Sequence, residues 1–181
     1  MVSVPSPGSA RPDPAEHAPY YARYIAEVPD GDVLRTLETQ GDATTRLLRG
    51  VAEDRGGHRY APGKWSLKEV VGHVNDVERV FALRALAFAR GERAPLFGME
   101  QDEWVAAARF DRRTLRSLAE EFAAIRQATL RLLEGLAPED WPRRGTASGV
   151  EFTVRSIPWI LAGHERHHLA VVRERYLGVS P

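Results

Sequence analysis

The feature that most constrains the fold of this chain is a helical spacing of apolar residues that recurs in four segments. Apolar side chains three or four positions apart lie on one face of an α-helix. No segment shows the convincing alternation of apolar and polar residues that marks a half-buried strand. Amphipathic helices bury their apolar faces against one another, so the pattern predicts an all-α four-helix bundle. The predicted helices run from about Asp32 to Val51, Ser66 to Arg90, Thr114 to Leu133, and Thr153 or Ser156 to Tyr176.

Polar residues at the predicted helix starts support this division. Asp32 can accept hydrogen bonds from the first amides of its helix, and Ser66 with Glu69 has the spacing of a capping box. The connections at 91–104 and 136–152 are long. A simple up-down-up-down order of helices is therefore not assured.

The chain ends differ from the predicted bundle in composition. Residues 1–17 begin with a stretch rich in Pro, Ser and Gly and are predicted to be a disordered tail, which leaves 18–181 as the bundle domain. Residues 19–29 are predicted to form a short helical turn packed on the bundle. No signal-peptide core and no apolar run of the roughly 18–20 residues of a membrane helix is found. The sequence therefore predicts a cytoplasmic protein without a membrane segment.

Two compositional facts limit the chemistry. The chain has no cysteine, which excludes disulfides and thiolate ligands. A transition-metal site must then use histidine and carboxylate, a donor set suited to zinc, nickel or ferrous iron. Acidic and basic residues number 25 each, so the formal net charge is zero. That balance argues against a nucleic-acid partner, because such proteins carry a basic surplus.

Three histidines fall in the six residues "GHERHH", at 163–168. His164 and His168 are four positions apart on the predicted core face of the last helix, whereas His167 points towards an edge. Two buried imidazoles need partners. Either a metal ion binds both, or each is a neutral core histidine bonded to a carbonyl or carboxylate. His73, in the middle of the second helix, could complete a three-nitrogen site with open positions, as catalytic metal sites have.

The same string satisfies H-E-x-x-H, the pattern of zinc proteases, in which Glu165 would be the general base. Only 13 residues follow His168 and none is a histidine, so a downstream third ligand is missing. Glu165 is one step from His164 and points away from the ligand stripe. Proteolysis is therefore disfavoured, and Glu165 is predicted to be a solvated helix residue.

Other polar residues have competing interpretations. Asp76, three positions after His73, could act as a base or orient a ligand, or could form a salt bridge. Glu69 is explained by its capping role. Arg79 and Arg84 are predicted to be solvated or paired with acids on other helices, and His17 to face solvent.

The residues "APGKWSLKEVVGHVNDVERV" and "TVRSIPWILAGHERHHLAVVRERYL" together resemble the DinB-like (YfiT-like) superfamily. The likeness extends over about residues 18–178. It implies an up-down-down-up four-helix bundle that holds a divalent metal through three histidines, here His73, His164 and His168. Zinc or nickel is the favoured ion, with iron or manganese as further candidates.

The resemblance also implies a range of activities on small-molecule substrates. Some branches of the superfamily join bacillithiol or mycothiol to an electrophile, in stress response or detoxification. Other members are described as metal-dependent hydrolases of small amides or esters. A non-enzymatic metal-binding stress protein is the third alternative. The main prediction is a low-molecular-weight thiol S-transferase, and a homodimer is plausible because such bundles often pair.

Overall fold

The computed structural model of the protein describes residues 10–178, and their fold is mainly helical. Short 3₁₀ turns occur at Pro14–Glu16, Pro19–Tyr21, Glu53–Gly57 and Phe110–Arg112. The helices are α1 (Ala22–Ala26), α2 (Val33–Arg49), α3 (Leu67–Ala89), α4 (Gln101–Ala108), α5 (Leu115–Glu134) and α6 (Ser156–Val171), which continues as a π-helix over Val172–Leu177. Strands β1 (Arg144–Ala147) and β2 (Val150–Thr153) form an antiparallel hairpin.

The four long helices α2, α3, α5 and α6 form the bundle, and its order is up-down-down-up. Both α2 and α3 pack against α5 and α6. The directions follow from hydrogen-bonded pairs: α2 runs parallel to α6, α3 runs parallel to α5, and α2 runs antiparallel to α5. Helices α2 and α6 are joined by Gln40–Ala162 and Thr44–Glu165. Helices α3 and α5 are joined by Asn75–Leu118 and Glu78–Arg126. Helix α2 and the 3₁₀ turn after it are joined to α5 by Leu37–Arg126 and Glu53–Leu115. The predicted fold class is confirmed.

The helix starts are fixed by the polar residues that the sequence indicated. Asp32 accepts from the amide of Leu34 at 2.9 Å. At the start of α3, the Ser66 hydroxyl accepts from the Glu69 amide while the Glu69 carboxylate accepts from the Ser66 amide, which is a complete capping box. Helix α6 begins at Ser156, so Pro158 lies in its first turn, where a proline is tolerated.

Two elements lie in the predicted connections. Helix α4 was not predicted because it has only eight residues and no side-chain N-cap. The β1–β2 hairpin turns at Ser148 and Gly149, which both have positive φ, 52° and 73°. Two such residues suit a tight hairpin turn. The strands have four residues each and little apolar alternation, so no strand signal preceded them.

The segment before α1 is packed on the body. Residues 1–9 of the predicted disordered tail lie outside the described residues, and residues 10–17 contact the bundle. The Arg11 guanidinium donates to the carbonyls of Ile25 and Val28, and it stacks over the Trp159 ring at 4.5 Å. His17, which was predicted to face solvent, is instead buried.

An ion cluster crosses the core. Arg126 of α5 donates to the carboxylates of Glu78 on α3 and Glu165 on α6, and to the Leu37 carbonyl on α2. The Arg126, Glu78 and Glu165 residues are each about 98–99% buried. The solvated position predicted for Glu165 is therefore wrong. The reason is that α6 is enclosed on all sides over Ser156–Glu165, so even its polar positions are interior.

Within residues 10–178, no helix combines the length and the apolar character needed to cross a membrane.

Candidate metal centre

Three imidazoles from two helices converge at one side of the bundle. His73 comes from the middle of α3, and His164 and His168 come from successive turns of α6. Each offers one ring nitrogen, and these three nitrogens lie within 4.8 Å of one another. The Nε2 atoms of His73 and His164 are 3.2 Å apart. The structure thus brings together the three residues that the sequence grouped.

These distances suit a transition-metal ion. Two nitrogens bound tetrahedrally to zinc at about 2.0–2.1 Å lie about 3.3–3.4 Å apart, close to the observed His73–His164 separation. Within residues 10–178, the hydrogen bonds of the three rings are confined to the His73–His164 contact, and His73 Nδ1 is buried without a partner. The alternative in which each histidine is bonded to its own carbonyl or carboxylate therefore has no contact to support it.

The surroundings keep the rings neutral, which is the form that binds metals. Burial lowers the pKa of His73 to about 4, although the charge of Asp102 acts in the opposite direction. Burial, together with the neighbouring His73 and His167, lowers the pKa of His168 to about 3. The pKa of His164 is also well below its usual value, mainly because of burial. Near neutral pH all three rings have a free nitrogen for a cation.

A cavity of about 540 Å³ opens beside His73 and His164. Its walls combine aromatic residues that precede or belong to α1, one face of α3, the start of α4 and the hairpin tip. The residues that line it include Tyr21, Tyr24, Phe81, Arg84, Glu100, Asp102, Glu103 and Ser148. A larger cavity, of about 770 Å³, lies between α2 and α5 and contains none of the three histidines. Proximity to the imidazoles makes the smaller cavity the candidate substrate site.

Each of the two helices carries a glycine directly before its first ligand candidate. A Cβ atom on Gly163 would lie 2.0 Å from the Tyr24 carbonyl oxygen, and one on Gly72 would lie 2.5 Å from the Phe110 ring. Both glycines therefore permit a close approach that any side chain would block. The approach at Gly163 brings Tyr24 against His164, with ring centroids 5.5 Å apart.

The other predicted residues lie outside this group. Asp76 does not line the cavity, and it faces Arg79, with the closest atoms 3.8 Å apart. Burial raises the pKa of Asp76, and Arg79 opposes this. A role for Asp76 as a base stays a prediction without a supporting contact. His167 is partly exposed and lies 4.0 Å from Glu27, at the edge where the helical wheel placed it.

Sequence reasoning missed the cavity walls. Tyr21 and Tyr24 were assigned to packing, and Arg84 to solvent or to an acidic partner. Arg84 is only 3% exposed, and no carboxylate in residues 10–178 lies within 4 Å of it. One signal was available: Arg84 is 11 positions after His73, about three helical turns, and so lies on the same face of α3.

The comparisons with known proteins identify the family and the fold. The sequence profile of the DinB superfamily matches residues 36–172, which include all three histidines. No curated protein matches the chain.

Two solved structures share the fold. YfiT from Bacillus subtilis, described as a "probable metal-dependent hydrolase with an unusual four-helix bundle topology", matches with a TM-score of 0.72 and 17% identity over 82% of this chain and 87% of its own. A mycothiol-dependent maleylpyruvate isomerase matches with a TM-score of 0.65 and 15% identity over 80% of this chain. The match spans 61% of the isomerase. At these identities the likeness shows the fold alone.

Proposed function

The chain belongs to the DinB superfamily, and we propose that it is a metal-dependent enzyme that transfers a low-molecular-weight thiol to a small electrophile. The observation that carries the proposal is the convergence of three neutral imidazoles, of which two, His73 and His164, line a cavity. His73, His164 and His168 would hold the divalent ion, with zinc or nickel favoured and iron or manganese as alternatives. A cation bound there would lower the pKa of a thiol that approaches it.

The ligand set favours this reaction. Three neutral donors leave the full charge of a divalent ion uncompensated, which strengthens its effect on an approaching acid. Because the chain has no cysteine, the sulfur nucleophile must come from a second substrate. A cavity of about 540 Å³ lies within the size range of small-molecule sites. A mycothiol-dependent maleylpyruvate isomerase is among the solved structures that share the fold.

The residues of the chain would then bind and enclose the reactants. The hydroxyl of Tyr24 is protonated at neutral pH, like that of any tyrosine, and burial raises its pKa further, to about 12, so it can donate a hydrogen bond. Tyr21 and Phe81 pack edge-to-face, with centroids 5.9 Å apart, and give the cavity an apolar side. In the overall reaction the thiol sulfur forms a bond to the electrophilic carbon, the carbon–leaving-group bond breaks, and the thiol proton leaves with the departing group.

A direct assay tests the proposal. Zinc- and nickel-loaded protein is mixed with mycothiol, bacillithiol or glutathione and with monobromobimane, which becomes fluorescent on alkylation of a thiol. We expect a rate above background with at least one thiol, and loss of that rate in His73→Ala but not in His58→Ala, whose histidine is exposed. Rates equal to background with all three thiols would reject the transferase.

A hydrolase of small amides or esters is the second candidate. Asp102 is close enough for its charge to raise the pKa of His73, so a carboxylate that could accept a proton from water is near the site. The structural neighbour YfiT is described as a probable metal-dependent hydrolase. Turnover of a chromogenic ester without thiol, lost in both His73→Ala and Asp102→Asn, would favour this reaction over thiol transfer.

The third candidate is a non-enzymatic metal-binding protein. It would be favoured if neither assay gives turnover while metal removal lowers the melting temperature. The predicted stress-response role, cytoplasmic location and homodimer accompany the proposal as predictions. Light scattering after size-exclusion chromatography would test the dimer.

A further inference from the structure

Arg84 is a buried cation in the wall of the cavity that contains His73 and His164. It follows His73 by 11 residues on the same face of α3, which is a rise of roughly 16 Å at 1.5 Å per residue. Its guanidinium stacks on Phe81, 4.7 Å from the ring centroid, and lies 5.7 Å from the Phe152 centroid. The residue is 3% exposed. Arg84 and His73 both line the cavity, and they leave α3 about three helical turns apart.

A comparison with Arg126 shows what Arg84 lacks. Arg126 is equally buried, at 2% exposed, and it binds the carboxylates of Glu78 and Glu165. In residues 10–178, the hydrogen bonds of Arg84 go to neutral oxygens, the Phe97 carbonyl at 3.2 Å and the Ser148 hydroxyl at 2.9 Å. Its Nε atom is buried without a partner. A buried charge without a counter-ion is costly, and no carboxylate in the described part of the chain contacts Arg84, so the fold maintains a cation that is available to an anionic ligand.

The tip of the β1–β2 hairpin contacts Arg84 through Ser148. Ser148 has a positive φ of 52°, a conformation that non-glycine residues rarely adopt. In this turn its hydroxyl accepts a hydrogen bond from Arg84. Tyr21 lies close enough for its hydroxyl to interact with the Arg84 charge.

We infer that Arg84 binds the carboxylate of an elongated, acidic small-molecule substrate whose other end reaches the three histidines. A planar guanidinium with free donors matches a carboxylate in geometry and charge. A doubly charged phosphate is disfavoured because Glu100, Asp102 and Glu103 line the same cavity. The inference deepens the proposed function and rests on the cavity being its substrate site.

The test is a binding measurement that does not require turnover. Isothermal titration of the full-length protein, zinc-loaded and after EDTA treatment, uses hexanoate, hexanamide and hexyl phosphate as probes. We expect hexanoate to bind at least tenfold more tightly than hexanamide in both forms, because a charged hydrogen bond is lost with the amide. Arg84→Gln should reduce that preference to less than threefold. Arg79→Gln, on the same helix but outside the cavity, should retain it.

Different failures have different meanings. If EDTA abolishes hexanoate binding, the carboxylate binds the metal and not Arg84, which overturns this inference and leaves the metal site supported. If the protein holds no zinc but still prefers hexanoate, the proposed function fails and the Arg84 site stands. Equal affinity for hexanoate and hexanamide, or tighter binding of hexyl phosphate, would overturn the carboxylate assignment. The probe comparison on the unmodified protein gives this answer even if Arg84→Gln does not fold.

Discussion

The Arg126 guanidinium donates to the Glu165 carboxylate at 3.0 Å inside the bundle, one residue from the place where His164 faces the cavity. This ion pair fixes the rotation of α6 about its axis, because Glu165 also accepts hydrogen bonds from Gln40 and Thr44 of α2. The glutamate of the H-E-x-x-H string therefore has a structural partner on each of two other helices. It is not directed at the candidate metal centre as a general base would be.

The first prediction concerns this pair. Glu165→Ala should lower the free energy of unfolding by about 1–3 kcal/mol, because it removes the acceptor of the buried Thr44 hydroxyl and one of the two carboxylates that Arg126 binds. Glu174→Ala is the matched control, since Glu174 is exposed on the continuation of α6 and should change stability by less than about 0.5 kcal/mol. Urea denaturation followed by circular dichroism measures both. Equal effects of the two substitutions would contradict the structural role.

The second prediction concerns metal binding. His73→Ala, His164→Ala and His168→Ala should each weaken zinc affinity by more than about 100-fold, because loss of an outer-shell partner alone costs 10–100-fold. His58→Ala should retain zinc at the level of the unmodified protein. Elemental analysis and competition with a chromophoric chelator give the stoichiometry and affinity. Retention of one zinc per chain by any of the three variants would remove that residue from the site.

Metal removal gives the third prediction. At a zinc concentration of 100 times Kd, binding stabilises the folded state by about 2.7 kcal/mol. For a chain of this size that corresponds to roughly 5–10 °C in Tm, so EDTA should lower Tm by about this amount. In His73→Ala, EDTA should have little effect. An unchanged Tm in the unmodified protein would mean that it binds no metal in this way.

The metal-ligand candidates could be predicted from sequence because their relationship is local. His164 and His168 are one helical turn apart, so a helical wheel places them together without knowledge of the fold. His73 required the further step that its helix faces the last helix, which the prediction of a four-helix bundle supplied and the resemblance to a family supported. The capping box of Ser66 and Glu69 is local in the same sense. For the His164–His168 pair and for the capping box, the signal lies within four residues of one helix.

The features that were missed depend on contacts between distant segments. Glu165 and Arg126 are 39 positions apart, and each looks like an ordinary surface residue of an amphipathic helix. Arg84 meets Ser148 through a hairpin with no strand signal, 64 positions away. Tyr24 reaches His164 only because Gly163 has no side chain. Periodicity identifies which face of a helix is apolar, but it does not show that α6 is enclosed on every side.

The fourth prediction concerns pH. Burial raises the pKa of Glu121, but Arg79 and Arg113 outweigh it, so the pKa of the folded state lies below the usual value. The Arg79–Glu121 contact is 2.5 Å. A carboxylate with a depressed pKa stabilises the folded state above its unfolded pKa, and that contribution disappears as pH falls through the folded value. The unmodified protein should thus lose stability from about pH 4.5 downwards.

The matched variants isolate this contribution. Glu121→Gln should be less stable than the unmodified protein at pH 7, and the difference should shrink as the pH falls below about 4.5. Glu120→Gln, at the neighbouring exposed position, should show little difference at either pH. Urea midpoints measured from pH 7 to pH 3 provide the comparison. A gap between Glu121→Gln and the unmodified protein that widens towards low pH would contradict the assignment.

The fifth prediction tests the close approach of α1 to α6. Gly163→Ala should destabilise the protein by about 1–3 kcal/mol, the usual effect of overpacking, because the new Cβ would lie 2.0 Å from the Tyr24 carbonyl oxygen. Relief of the clash requires α1 to move, and this would take Tyr24 away from His164. Gly57→Ala is the control, since a Cβ there meets no atom within 4 Å. Urea denaturation measures the stability of both variants. If α1 positions the cavity wall, Gly163→Ala should weaken hexanoate binding while zinc affinity changes little, because the three imidazoles are held by α3 and α6. Parallel loss of zinc would instead mean that α1 supports the ligand helix itself.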